Sequence, residues 1–174
     1  KLGTAMKSIG ECMAIGRNFK ESLQKAVRSL ETGLIGLDSN KFLKKKNKAQ
    51  LINLLKENRP NRFLVVAECI RKNINLQEIE LISGYDPWFI REISEIVYFE
   101  NLLKSKKITK DIYLTAKSMG FSDEKIISLS KSKSKEIINI KNKNNLFPAF
   151  RNIDTCSGEF ESKTITMVDA IQQA

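Results

Sequence analysis

Between residues 18 and 142 the apolar residues fall at helical spacing, but no stripe runs far before a capping residue, a glycine or a proline interrupts it. That punctuation restricts the chain to short helices that must bury their faces against one another. Residues 18–30 form the clearest unit, with Phe19, Leu23, Ala26 or Val27, and Leu30 on one face. Asn18 is placed to cap the first turn, Glu21 stands at capping-box spacing, and Gly33 is the expected left-handed stop. An apolar link, residues 34–38, leads to a charged stretch, 41–48, that is expected to lie exposed. Leu51, Leu54 and Leu55 mark the inward face of the next helix, which Pro60 breaks, and Val65, Val66, Cys69 and Ile70 mark that of a helix over 62–72. Asn75 with Glu78 has capping-box spacing ahead of Leu76, Ile79 and Ile82, and Gly84 ends that unit. Asp86-Pro87 then opens a long amphipathic helix through Leu103, with aspartate at the cap and proline in the first turn.

Further helices are expected over 109–119, closed by Gly120, from Ser122-Asp123-Glu124 onward, and over 134–142. No convincing strand pattern follows residue 31. Residues 4–15 lack helical period and read as a loop or a sheet edge, and residues 146–174 read as irregular. The expected fold class is therefore all-α, an irregular multi-helix domain. With 41% hydrophobic residues the chain has enough apolar material for a core.

The chemistry available is narrow. The chain contains no histidine, which removes imidazole bases and imidazole metal ligands. Cys12, Cys69 and Cys156 are widely separated and form no CxxC pair, as expected of small reduced thiols in a cytoplasmic protein. Cys156 beside Asp154 and Glu159 has no histidine base and has acidic neighbours that raise a thiol pKa, so it is not expected to act as a nucleophile. The eight glycines are dispersed and make no phosphate loop. No acidic residues cluster for a metal, and Asp123-Glu124 reads as a helix start. No apolar run approaches the ~18 residues of a membrane span. Lys1 is not a start methionine, so the expectation is a piece of something longer.

The net charge of +10 raises the question of nucleic acid. Residues 76–93 and 119–138 each have a helix, turn, helix layout, so a helix-turn-helix nucleic-acid-binding module is the alternative reading. The first would-be recognition helix starts Trp88-Phe89-Ile90, which suits burial rather than base readout. The basic residues are mostly dispersed lysines, including Lys104, Lys106, Lys107 and Lys110, and read as a solvated face.

Three stretches resemble the large subunit of carbamoyl phosphate synthetase. The first spans residues 2–31 and includes Gly10-Glu11-Cys12-Met13-Ala14-Ile15-Gly16-Arg17 and Glu21-Ser22-Leu23-Gln24-Lys25-Ala26. The second is Asp86-Pro87-Trp88-Phe89 with Gly120-Phe121-Ser122-Asp123 downstream, and the third is Ile153-Asp154-Thr155-Cys156 followed by Glu159-Phe160-Glu161. Their order and separation fit that family to about residue 164. Cys12 stands where the family usually has valine, Ser157-Gly158 replaces a pair of small residues, and residues 165–174 depart as a divergent tail.

The resemblance implies that residues 1–31 end the first, carboxyphosphate-making ATP-grasp unit and that residues 32–174 form the helical oligomerisation domain. It implies a parent ligase that joins bicarbonate, glutamine-derived ammonia and two ATP, with Mg2+ or Mn2+ and K+. The nucleotide, metal and catalytic residues are expected outside this segment, which should hold no cofactor and be inactive alone. Implied partners are the rest of the large subunit, the glutaminase small subunit and further copies through this domain, with no specific nucleic acid and no membrane. Glu11 matches a glutamate of the family's Gly-Glu-x-Met motif and is either part of the internal carbamate passage or a structural salt-bridge residue.

Overall fold

The computed structural model describes residues 4–5, 11–38, 40–130, 132–153 and 166–173. Among these, nine helices follow in order: α1 (Phe19–Ser29), α2 (Lys41–Lys44), α3 (Lys48–Lys56), α4 (Arg62–Arg71), α5 (Leu76–Ser83), α6 (Pro87–Ser105), α7 (Lys110–Ser118), α8 (Asp123–Ser130) and α9 (Ser134–Lys143). Two strands, β1 (Leu146–Ile153) and β2 (Thr166–Gln173), close the chain. The helical fold class expected from the sequence holds. α4 is the central piece, buried continuously from Leu64 to Ile70 and packed against α3 and α6. Leu51, Leu55, Ile79, Ile90, Ile96, Leu103, Tyr113, Phe121 and Ile126 complete one contiguous core.

Local chemistry sets most boundaries. The Asn18, Asn40, Asn47, Asn75, Asp86 and Thr109 side chains each accept a first-turn amide, meeting donors that the helix itself leaves unsatisfied. The full capping box is at Asn47 and Gln50. At Asn18 the cap forms, but the Glu21 carboxylate reaches past it to the Arg17 amide at 2.9 Å. α5 ends on Gly84 in the left-handed region. α4 and α7 both end in Schellman motifs, with Asn73 (φ 55) and Gly120 (φ 87) as the left-handed residues.

Several expectations need correction. The first left-handed residue after α1 is Glu31 (φ 54), two positions ahead of Gly33. The charged stretch 41–48 is not wholly exposed, because it forms α2 and buries Leu43, with Lys46 lying over the exposed Phe42 ring. The end of the chain is not irregular throughout. β1 and β2 pair antiparallel from Leu146 opposite Gln173 to Ile153 opposite Thr166. Pro148 within β1 breaks the strand signature, since it cannot donate to a ladder. Among residues 146–150 of β1 only Leu146 reaches the core, while Phe147 and Phe150 are exposed, so burial does not impose alternation on this part of the strand.

Candidate functional site

The sequence candidate Glu11 lies on a segment, 11–16, that is neither helix nor strand and folds back along α1, and Glu11 itself is exposed. Cys12 Sγ donates to the Ala26 carbonyl at 3.3 Å and Lys25 Nζ reaches the Ile15 carbonyl at 3.4 Å. Gly16 is required here, because a Cβ would sit 2.6 Å from the Ser22 amide nitrogen. The glutamate with a built ionic setting is Glu21, which is 3% exposed. It holds Arg17 Nε and Lys25 Nζ, each at 3.1 Å. Burial opposes its ionisation, yet the Arg17 amide, the Arg17 guanidinium and Lys25 outweigh that and leave its carboxyl below the ordinary range. Asp154, Cys156 and Glu159 lie outside the described residues.

α1 fastens to the turn between α7 and α8 through three side chains on three successive carbonyls. Asn18 Nδ2 donates to Ser118 O at 2.9 Å, Gln24 Nε2 to Met119 O at 2.7 Å and Arg28 Nη1 to Gly120 O at 2.7 Å. The approach is close enough that a Cβ on Gly120 would lie 2.8 Å from Glu21 Cα. On another face of α1, Lys20 bridges Glu92 and Glu95 of α6 at 3.1 and 2.7 Å. Burial works against its charge, but the two carboxylates prevail and raise its pKa.

Beside this junction lies a buried ionic network that the sequence reading missed. Arg71 of α4 donates to Glu100 of α6 from Nε at 3.1 Å and from Nη2 at 2.8 Å, and it also meets Glu68 and the Leu37 carbonyl. Lys125 of α8 bonds Asp38 and lies 3.2 Å from Glu100 Oε1, an ion pair without hydrogen-bond alignment. The Glu68, Glu100 and Lys125 side chains are at most 4% exposed. A signal existed for Glu100, because it continues the Ile93, Ile96, Val97, Leu103 stripe and so falls on a core position. Asp123, expected as a helix start, does begin α8, and its carboxylate also accepts from Tyr113, Lys117 and Lys141. Burial opposes that charge, but Lys141 and Lys117 hold the pKa low. Cys69 fits the expectation of a small buried thiol: burial first, then Glu68, pushes it up to about 12.

A further feature is an apolar groove of about 360 Å³ between α1, α4 and the start of α6, lined by Phe19, Leu23, Phe63, Tyr85, Phe89 and Ile93. Phe19, Trp88 and Phe89 meet edge to face with centroids 4.9–5.3 Å apart, while Trp88 and Phe89 stay over 40% exposed. The start of α6 is therefore engaged with α1, which is not how a recognition helix presents readout residues. Among the described residues no three acidic or cysteine side chains gather to hold a metal. Carboxylates tied to lysine and arginine, helices docked through carbonyls and a half-open aromatic face define a helical packing module.

The comparisons agree with that class. Residues 11–145 match the family described as carbamoyl-phosphate synthetase large chain, oligomerisation domain, and the chain belongs to this family. It is 38% identical to the carbamoyl phosphate synthase large chain of Mesorhizobium japonicum, over 95% of this chain and 15% of that protein. It is 39% identical to the large chain of Campylobacter jejuni, over 98% of this chain and 16% of that protein. The N-terminal section of the large chain of Aquifex aeolicus is 39% identical over 94% of this chain and 29% of its own length. The chain thus spans less than a third of each of these relatives.

Proposed function

We propose that this chain is the assembly and linkage segment of a carbamoyl phosphate synthase large chain, a cytoplasmic ligase that makes carbamoyl phosphate from bicarbonate, glutamine-derived ammonia and two ATP. The observation that carries the reading is the family match across α1 to α9. In this reading residues 1–31 end the first ATP-grasp unit and residues 32–174 form the oligomerisation domain, which associates with further copies and joins the synthetase halves. The glutaminase small subunit binds elsewhere on the parent. In this reading ATP, Mg2+ or Mn2+ and K+ are held by other parts of the parent; the buried acids Glu21, Glu68 and Glu100 are paired with lysine or arginine, and the sequence carries no phosphate-loop motif. Glu11 lines the carbamate passage, and its exposure on the segment ahead of α1 supports this role.

Sedimentation velocity over a range of concentrations tests the assembly role. The expected result is one discrete dimer, with the lysines of residues 41–48 or 104–110 at its rim rather than its centre, since lysine is depleted from interface cores. A strict monomer at high concentration removes the assembly role. Glu11→Ala in a whole synthase tests the passage: ATP use at the first site continues while carbamoyl phosphate yield falls. An unchanged ratio of ATP consumed to product formed counts against it.

A further inference from the structure

A helix ends with carbonyls that its own backbone cannot satisfy. In α7 the Schellman motif answers two of them, through Phe121 N to Ala116 O and Gly120 N to Lys117 O. The next three, Ser118, Met119 and Gly120, receive Asn18, Gln24 and Arg28 from α1, roughly a hundred residues earlier in the chain. Gln24 is fully buried, and Gly120 leaves no room for a side chain between its own backbone and that of α1. Few docking arrangements satisfy three consecutive carbonyls and a backbone approach that close.

The segment ahead of α1 is fixed to the same helix. Cys12 holds Ala26, Gly16 packs against Ser22, and Glu21 holds the Arg17 backbone and side chain. On the far side of the turn, Lys125 of α8 binds Asp38, at the end of the link that follows α1. The α7–α8 elbow is thus gripped by the chain on both sides of residue 30.

We propose that α1 supplies the C-terminal cap of α7 from a distant part of the chain, so that residues 11–29 and the α7–α8 elbow move as one piece and Gln24 and Arg28 act as positioning residues for that elbow. This deepens the linkage role proposed above and rests on it for its meaning in the parent. There, whatever is attached ahead of residue 11 is mechanically coupled to α8 and α9, not only to the neighbouring link.

Hydrogen exchange on the whole 174-residue chain tests this. The double variant Gln24→Met, Arg28→Met removes two donors and keeps side-chain bulk. Two hydrogen bonds of ordinary strength predict amide exchange about 5- to 30-fold faster in residues 116–126 and in α1, with α3 and α5 unchanged. If only α1 speeds up while 116–126 keep their rate, the elbow does not depend on α1 and the proposal falls. It also falls if all helices speed up alike, which marks a general loss of stability. Should the double variant fail to purify, Arg28→Met alone leaves two of the three bonds and must give the same pattern at smaller amplitude. A monomer in sedimentation defeats the assembly reading without altering this exchange pattern, so the two failures are distinguishable.

Discussion

Two junctions hold the stretch from residue 18 to residue 38 against the α7–α8 elbow, and they are built from opposite materials. At the first, α1 side chains donate to backbone carbonyls, and the groups joined are mostly neutral. At the second, Asp38, Lys125, Glu100, Arg71 and Glu68 bring five charges together in or beside the core. The first junction is modular: each bond serves one carbonyl, and losing it forfeits about 1 kcal/mol. The second is collective, because each charge is tolerable only while its partner stays, and removing one strands another in low dielectric. A sequence difference of equal size should therefore matter far more at one junction than at the other.

The largest effect is expected at Lys125. Lys125→Met leaves Glu100 and Asp38 without their shared cation and should destabilise the chain by about 3–5 kcal/mol in urea unfolding. Adding Glu100→Gln to the same chain should recover part of that loss, since one stranded charge is then neutral. The two substitutions together should therefore cost less than their sum, and strict additivity would show that the cluster is not collective.

Gly120 marks where the first junction also becomes unforgiving. Gly120→Ala forces a side chain into the left-handed region and toward Glu21 Cα, for about 1–3 kcal/mol in the same measurement. Gly33, at φ 75 with nothing near its Cβ position, carries the conformational part alone, so Gly33→Ala should be the milder change. Sequence patterning could find Gly120 as a helix stop, as it found Gly84, Asp86-Pro87 and the Asn18 cap, because those signals are local. It could not find what Gly120 touches, since α1 is distant along the chain. The same limit explains the other misses. Leu43 hides among lysines, and its burial depends on α4 rather than on its neighbours. The β1–β2 pairing arises between strands with little periodicity, one of them interrupted by Pro148. The one candidate site residue, Glu11, rests on resemblance and stands apart from both junctions, whereas Gln24 and Lys125 look like ordinary surface residues until their burial is known.

Acidity separates the junctions next. The folded-state pKa of Glu21 is depressed below its ordinary value of 4.5 by Arg17 and Lys25, against the pull of burial. Its charge therefore contributes stability that is fully present above about pH 4.5 and is lost as the pH falls through the lower folded value. Glu21→Gln should cost about 1.5–3 kcal/mol at neutral pH, the range for hydrogen bonds to charged groups, and should flatten the acid limb of the stability curve. Midpoints of urea unfolding between pH 3 and 7, about the range over which carboxylates titrate, check this. An acid limb as steep as that of the unsubstituted chain would assign the slope to other carboxylates, Asp123 among them, since its pKa is also held low.

The smallest effect is expected at the exposed end of the first junction, where Asn18 does two things at once. Its Oδ1 accepts from the Glu21 amide to cap α1, and its Nδ2 donates to the Ser118 carbonyl. Asn18→Ser preserves the cap and loses the bridge, whereas Asn18→Ala loses both. Capping residues exchanged for alanine typically lose about 0.5–2 kcal/mol, and the exposed position favours the lower half of that range. The serine variant should lose only the bridge, under about 1 kcal/mol, because water can answer the Ser118 carbonyl there. Asn18→Asp keeps the cap but turns a carboxylate toward that carbonyl, so it should fall below serine even though aspartate caps as well. Thermal unfolding of the three variants should therefore rank serine above both aspartate and alanine. Serine equal to the native asparagine would mean that the Ser118 bond contributes nothing and that α1 is held to the elbow at Gln24 and Arg28 alone.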